Sequence, residues 1–378
     1  MGSKKKIGTI TFHASYNYGS ALQAYALQKF LTNTFDDKID YKIINLRTAR
    51  QKSLYNRPYG CYDIRSNLRK IAFLGYKKQF QKRSEHFEDF IQKYLNVTEE
   101  YNTLEDLKKA NLDFDYYICG SDQIWNYKIL DFDWAFFLEF AKRGKKISYA
   151  ASFGPEELSP DSSDKKRLRR DLLKFDSLSV RETGSLKNLE KIIGKSDASI
   201  HVDPTMLVDA GDWKKIAGNR LLTGDYIFMY DLRSKKNTYE IAKRLSELYN
   251  MPVVMVKEKA KMHLLFHNFI KKYDAGPIEF LNYIKYAKLV VSSTFHGNVF
   301  AIIFERPFIA VDGKKDLRIS NLLDKAGLSN HSISSTDELN EKNGNLFNVD
   351  FSVSKKVLAE ERERSKTYLK NALEIGER

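Results

Sequence analysis

Five short polar clusters carry the residue types from which a reactive site can be built. Thr294-Phe295-His296-Gly297 follows an apolar run, Leu289–Ser292, and precedes another. A histidine there can exchange protons near neutral pH, and a glycine beside it permits close backbone approach. Gly120-Ser121-Asp122-Gln123, Tyr149 to Gly154, Arg181-Glu182 and Asp203-Pro204-Thr205 each end an apolar run in the same way. Every member has a plainer reading as well. Asp122 fits a cap on the following turn, Arg181 with Glu182 a surface ion pair, and Asp203-Pro204 a turn, because proline keeps the residue before it extended. Asn17, Gly19 and Ser20 stand where a helix begins, a position that suits an anion. They lack the GxGxxG spacing, so a simple capped turn also accounts for them.

The elements that must position these clusters alternate. Residues 6–12 and 41–46 predict strands, separated by a helix from about Ser20 to Thr32. Strands and helices then alternate from Tyr116 to Val208 and again from Asp225 to about Val311. This pattern predicts parallel sheets covered on both faces, in two Rossmann-like halves facing a cleft. The expected division is 1–210 for the first domain, with a helical insertion at about 47–115, 211–353 for the second, and 354–378 as a helix packing back across the domains. In open α/β sheets ligands bind beyond the carboxyl ends of the strands. All five clusters fall there.

With 378 residues, 42% hydrophobic and 30% charged, the chain is ample for two cores. It has no apolar run long enough to span a membrane and no signal-peptide core, so a cytoplasmic location is expected. Cys61 and Cys119 form no metal or redox spacing. His263 and His267 are four apart but have no third ligand, and no metal is expected. The net charge of +14 calls for an anionic partner. Zinc-finger spacing and RNP-like aromatic motifs are absent, which argues against nucleic acid.

Taken in order, "NYGSALQAYAL", "ICGSDQIWN", "ISYAASFG", "SVRE", "VDPTML", "GPIEFLNYIKYAKLVVSSTFHG" and "FERPF" resemble the polysaccharide pyruvyl transferase family over roughly residues 7 to 330. The resemblance implies a GT-B-like fold. It implies a transferase that moves the pyruvyl group of phosphoenolpyruvate onto two hydroxyls of one sugar, forming a cyclic ketal. The sugar would belong to a cell-surface polysaccharide, such as a capsule, or to its polyprenyl-diphosphate-linked precursor. No cofactor beyond the donor substrate is implied. His296 matches the motif histidine, a candidate for proton transfer or phosphate contact, and Asp122 is a candidate base. Arg181 would fork onto an anionic group of the donor, with Thr294 and Gly297 beside it. Asn17, Gly19, Ser20 and Ser121 are candidates for acceptor or anion binding. Some members carry a donor-binding arginine where this chain has Thr294. Arg318, or Lys314 and Lys315, would then supply the charge.

Two other readings stay open. A glycosyltransferase using a nucleotide sugar would share the fold, although no acidic pair is placed to grip a ribose in the second half. A non-catalytic scaffold for polysaccharide assembly is the other. Finally, residues 65–83 hold seven Lys/Arg and no acid, interleaved with apolar residues. Such a stretch suits peripheral association with an anionic membrane, or a solvated helix packed on its own domain.

Overall fold

The computed structural model describes residues 3–55, 74–154, 158, 162–233, 235–257, 268–341 and 346–376. Strands β1 (Lys5–Ile10), β2 (Ile39–Leu46), β3 (Val97–Tyr101), β4 (Tyr116–Cys119) and β5 (Lys145–Ser148) form a parallel sheet in the order β3-β2-β1-β4-β5. Single bridges Ile147–Ser177 and Ala151–Val180 extend it to the short pair β6 (Ser179–Val180) and β7 (Ser199–Ile200). A second parallel sheet has the order β10-β9-β8-β11-β12-β13. Its strands are β8 (Ile227–Tyr230), β9 (Val253–Val256), β10 (Ile270–Lys272), β11 (Leu289–Ser292), β12 (Phe308–Val311) and β13 (Ser332–Ile333). Strands β4, β8, β9, β11 and β12 are buried at every position and, apart from Ser292 at the end of β11, carry only apolar or aromatic residues, because helices cover both faces.

Each sheet reverses its winding once, between β1 and β4 in the first and between β8 and β11 in the second. At such a switch point the flanking connections diverge and leave a crevice. The loops after these four strands supply most of the site described below.

The span 47–115 departs from the expected helical insertion. It contains helices Ala49–Tyr55 and Lys77–Tyr94, but also β3, which pairs with β2 at the sheet edge. Alternation therefore continues through it. "VTEEY" escaped notice because an edge strand with one exposed face has no apolar run. Short β10 and β13 were missed for a similar reason.

Aromatic residues join the two sheets into one core. Tyr18 stacks on Phe280 at 4.6 Å and donates its hydroxyl to the Ala275 carbonyl at 3.0 Å. Trp213 packs between Tyr25 and Phe300. Burying a side chain of this size is worth about 2–3 kcal/mol, with up to about 1 more from the ring geometry.

The C-terminal helix Ser352–Ala372 runs back over the first sheet. Tyr368 donates to the Ser148 carbonyl at 2.8 Å, Arg362 to the carbonyls of Met206 and Val208, and Lys5 to that of Leu373.

The basic stretch is described only from residue 74 onward. There the helix Lys77–Tyr94 turns its apolar side inward, as the reading of a helix packed on the protein itself expects, while residues 65–73 lie outside the described part. Phe80 packs on Tyr273 of the second half at 4.8 Å, and Phe87 and Phe90 are buried. Arg83 is buried too, lying over the Phe87 ring at 4.7 Å and donating to the Tyr16 carbonyl. The other three cations described in this stretch, Lys77, Lys78 and Lys82, are exposed. No described helix is long and apolar enough to cross a membrane.

Candidate active site

A cavity of about 460 Å³ opens between the carboxyl ends of the two sheets. Ser15, Asn17 and Ser20 line it from beyond β1, Asp122 and Gln123 from beyond β4, Arg233 and Lys235 from beyond β8, and Ser293 to His296 from beyond β11. Lys315, Asp316 and Arg318 follow β12. Its four cations, Arg233, Lys235, Lys315 and Arg318, all come from the second half; of its carboxylates, Asp122 and Asp131 come from the first half and Asp316, paired with Arg318, from the second.

His296 sits in the first turn of the helix Phe295–Ile303. Its Nε2 lies 3.4 Å from Oδ2 of Asp203, which belongs to the other half. Asp203 is wholly buried and meets three further groups. Oδ2 accepts from Arg181 Nη1 at 2.9 Å and lies 3.4 Å from Ser121 Oγ, and Oδ1 accepts from the amide and hydroxyl of Thr205. Burial works against the charge on Asp203, but His296, Arg181 and the Thr205 amide outweigh it and hold its carboxyl far below the usual range. The carboxylate is ionised at any physiological pH. Its turn reading was correct but incomplete: Asp203 caps the short helix Pro204–Met206 and also reaches into the site.

Arg181 faces carboxylates of its own chain through Nε and Nη1. Nε donates to Glu182 at 3.1 Å, Nη1 to Asp203, and Asp122 lies 3.9 Å from Nη1. The guanidinium lies over the Phe295 ring at 4.9 Å, and Nη2 is buried with no hydrogen-bond partner among the described residues. Burial alone would lower its basicity, but the surrounding carboxylates raise it further. Arg181 thus stands behind the cavity wall and links Asp122, Asp203 and Glu182. A second, mostly apolar cavity of about 610 Å³ lies on its far side, beneath the C-terminal helix. On that cavity's wall Arg318, Lys325 and Arg364 face the carboxylates of Asp316 and Glu361.

Asp122 holds a left-handed backbone, φ 76°, which a non-glycine residue adopts at a cost of roughly 1 kcal/mol or more. Its Oδ1 accepts from the Gln123 amide at 2.8 Å, so the expected turn role is real. Oδ2 accepts from Ser20 Oγ at 2.5 Å, across the switch point. Asn17 caps the helix Tyr18–Phe35, accepting from the Ser20 amide at 3.2 Å. Ser121 is fully buried and donates to the Ala150 carbonyl at 2.9 Å, behind the cavity surface.

Gly19 meets His296 directly. A Cβ placed on Gly19 would fall 2.0 Å from His296 Nδ1, so only glycine lets the imidazole lie against this helix. Gly297 serves a different contact from the one expected. A Cβ there would fall 2.2 Å from Ser292 Oγ, so its closeness is to the preceding strand. Thr294 caps the helix, its Oγ1 accepting from the Gly297 amide at 3.1 Å and lying 3.0 Å from Ser292 Oγ.

On the second half's wall Arg318 forks onto Asp316 at 3.0 and 2.7 Å. Lys235 and Lys315 share Asp312, at 3.3 and 2.8 Å. Burial raises Asp312, yet these cations and Asn237 hold it down to about 2. Several residues here were not singled out from sequence, among them Lys235, Asp312 and Asp316. Arg233 follows β8, where the carboxyl-end rule could have found it. Asp131 accepts from the Tyr55 hydroxyl, and burial pushes its carboxyl up. Nothing in "KILDFDW" marks Asp131 in advance, and nothing in "QKSLY" marks Tyr55. Among the described residues no three His, Cys, Asp or Glu side chains are grouped to hold a metal; the His263/His267 pair lies outside them.

Two Rossmann-like halves with a polar cleft between them define a GT-B fold, and solved structures with this architecture superpose along the whole chain. UDP-N-acetylglucosamine 2-epimerase from Rickettsia bellii aligns with a TM-score of 0.56 at 12% identity, covering 99% of this chain and 96% of that one. The UDP-GlcNAc 2-epimerase of Methanocaldococcus jannaschii, in complex with UDP-GlcNAc and UDP, gives 0.54 at 15%, covering 97% and 100%. At such identity the likeness is one of fold. Within that fold, the chain belongs to the polysaccharide pyruvyl transferase family, whose model matches residues 17–315. No curated protein matches it.

Proposed function

We propose that this protein transfers the pyruvyl group of phosphoenolpyruvate to two hydroxyls of a sugar in a cell-envelope polysaccharide or its lipid-linked precursor, as a cyclic ketal. The observation that supports this most is the placement of His296 between a buried Asp203 and a cavity whose four cations all stand on the second half's wall, opposite Asp122 and Asp131. An anionic donor suits the first wall and sugar hydroxyls the second.

In this reading His296 gives a proton to C3 of the donor, turning its methylene into a methyl and leaving C2 open to attack. Asp203 is the counter-charge while His296 carries that proton. One sugar hydroxyl adds at C2, with Asp122 taking its proton in concert with Ser20. The bond from C2 to the phosphate oxygen then breaks, the second hydroxyl closes the ring, and its proton leaves with the phosphate. One proton thus ends on C3 and one on inorganic phosphate or its buffer, which balances the two lost by the sugar.

The test is incubation with phosphoenolpyruvate and a polyprenyl-diphosphate-linked glycan, following phosphate release and a mass gain of one pyruvyl ketal on the glycan. Release of UDP from a nucleotide sugar instead would mark a glycosyltransferase. Neither product would leave a scaffold.

A further inference from the structure

The donor's anionic groups need a cation, and this chain has Thr294 spent on a helix cap. The cations around the cavity differ in how far they are already neutralised. Lys235 and Lys315 face Asp312, and Arg318 is held bidentately by Asp316. Arg233 differs from these three. It is exposed, lines the cavity, and its guanidinium makes no hydrogen bond or ion pair with any described residue.

Its loop is nevertheless well anchored. Asp231, 1% exposed, accepts from the backbone amides of Arg233 at 3.2 Å and Lys235 at 2.9 Å, and from Ser293 Oγ at 2.6 Å. Lys257, also buried, lies 3.8 Å from the same carboxylate and donates to the Asp231 carbonyl. One buried carboxylate therefore ties the loop after β8 to the loop after β11, which carries His296. A buried, multiply bonded acid of this kind fixes backbone geometry, because each amide it holds would otherwise be left unsatisfied. The result is an unneutralised guanidinium presented from a fixed loop at the switch point of the second sheet, on the same wall as His296.

We propose that Arg233 binds an anionic group of the donor, phosphate or carboxylate, with Asp231 as its positioning residue. This rests on the pyruvyl-transfer reading above. The guanidinium can meet either group with two parallel N–H donors, which an ammonium cannot.

Calorimetric titration of phosphoenolpyruvate into wild type, Arg233→Gln and Arg233→Lys tests it, with KM and kcat measured for the same three proteins. The expected result is a Kd raised about tenfold or more in Arg233→Gln, a smaller rise in Arg233→Lys, and an effect carried mainly by donor KM. Competition by inorganic phosphate against competition by pyruvate shows which group is held: the competitor whose inhibition weakens in Arg233→Gln carries it. Because Arg233 is exposed, an unchanged melting temperature is expected in both variants. Equal donor Kd in wild type and Arg233→Gln overturns the assignment and leaves the pyruvyl-transfer reading standing. A wild-type protein that neither binds nor consumes phosphoenolpyruvate overturns that reading, and the role of Arg233 as a donor residue with it.

Discussion

Nε2 of His296 and Oδ2 of Asp203 lie 3.4 Å apart, although the two residues come from different sheets. The pair exists only when the two halves are docked, and Gly19 completes the fit by leaving room for the imidazole.

Replacing His296 by Ala or Gln should remove most turnover, since neither side chain carries an exchangeable proton near neutral pH. Loss of the imidazole beside buried Asp203 should lower stability by about 1–2 kcal/mol, because Arg181 and Thr205 still serve the carboxylate. Steady-state phosphate release and urea denaturation measure the two effects. Turnover retained in His296→Gln would remove the histidine from the chemistry.

Arg181→Lys should be destabilising by roughly 3 kcal/mol, because a lysine cannot serve Glu182 and Asp203 through separate nitrogens and leaves buried charge poorly matched. Turnover should fall through the misplacement of Asp203 and His296, with donor affinity changed less. The opposite pattern, intact stability with a large rise in donor KM, would make Arg181 a direct donor ligand, the role that the family resemblance assigns to it.

Gly19→Ala adds only a methyl group, yet it must displace the His296 ring or part the two halves. Overpacking of this kind costs about 1–3 kcal/mol. Because the group displaced is the proposed proton donor, kcat should drop about tenfold or more, by analogy with other ångström-scale misplacements. Unchanged kcat with unchanged stability would mean that the ring has space to move.

His201 ties the first sheet to the C-terminal helix: Nδ1 meets Ser365 Oγ at 3.1 Å and Nε2 meets Ser199 Oγ at 2.9 Å. Burial, aided by Arg364 and Lys325, lowers it from 6.5 to about 4. The unfolded chain therefore takes up a proton at a higher pH than the folded one does. Stability should be undiminished by this group above about pH 6.5 and fall as pH drops toward 4, by on the order of 3 kcal/mol in all. Denaturant midpoints of wild type and His201→Gln across that window check it. The variant should lose less stability on acidification, and parallel curves would exclude His201 as the cause.

The alternation of apolar runs with helical stretches was enough to define the fold class, because parallel strands buried on both faces must be apolar throughout and their crossovers must be helical. The same pattern placed Asp122, Arg181 and His296 at strand ends, where ligands bind. Edge strands β3 and β10 escaped, since a strand with an exposed face or only three residues carries little periodicity. The roles of the polar residues within the site were decided in space. Local sequence shows that Asp203 precedes a proline, but not that His296, ninety-odd positions later, comes to rest beside it. Nor does it show that the guanidinium of Arg181 is surrounded by carboxylates while that of Arg233 is not. Strand-end position follows from local pattern, which a single chain records. Pairing and burial of charge depend on which strand ends meet across the cleft, and that is fixed only by the docking of two separately built sheets through Tyr18, Phe280 and Trp213.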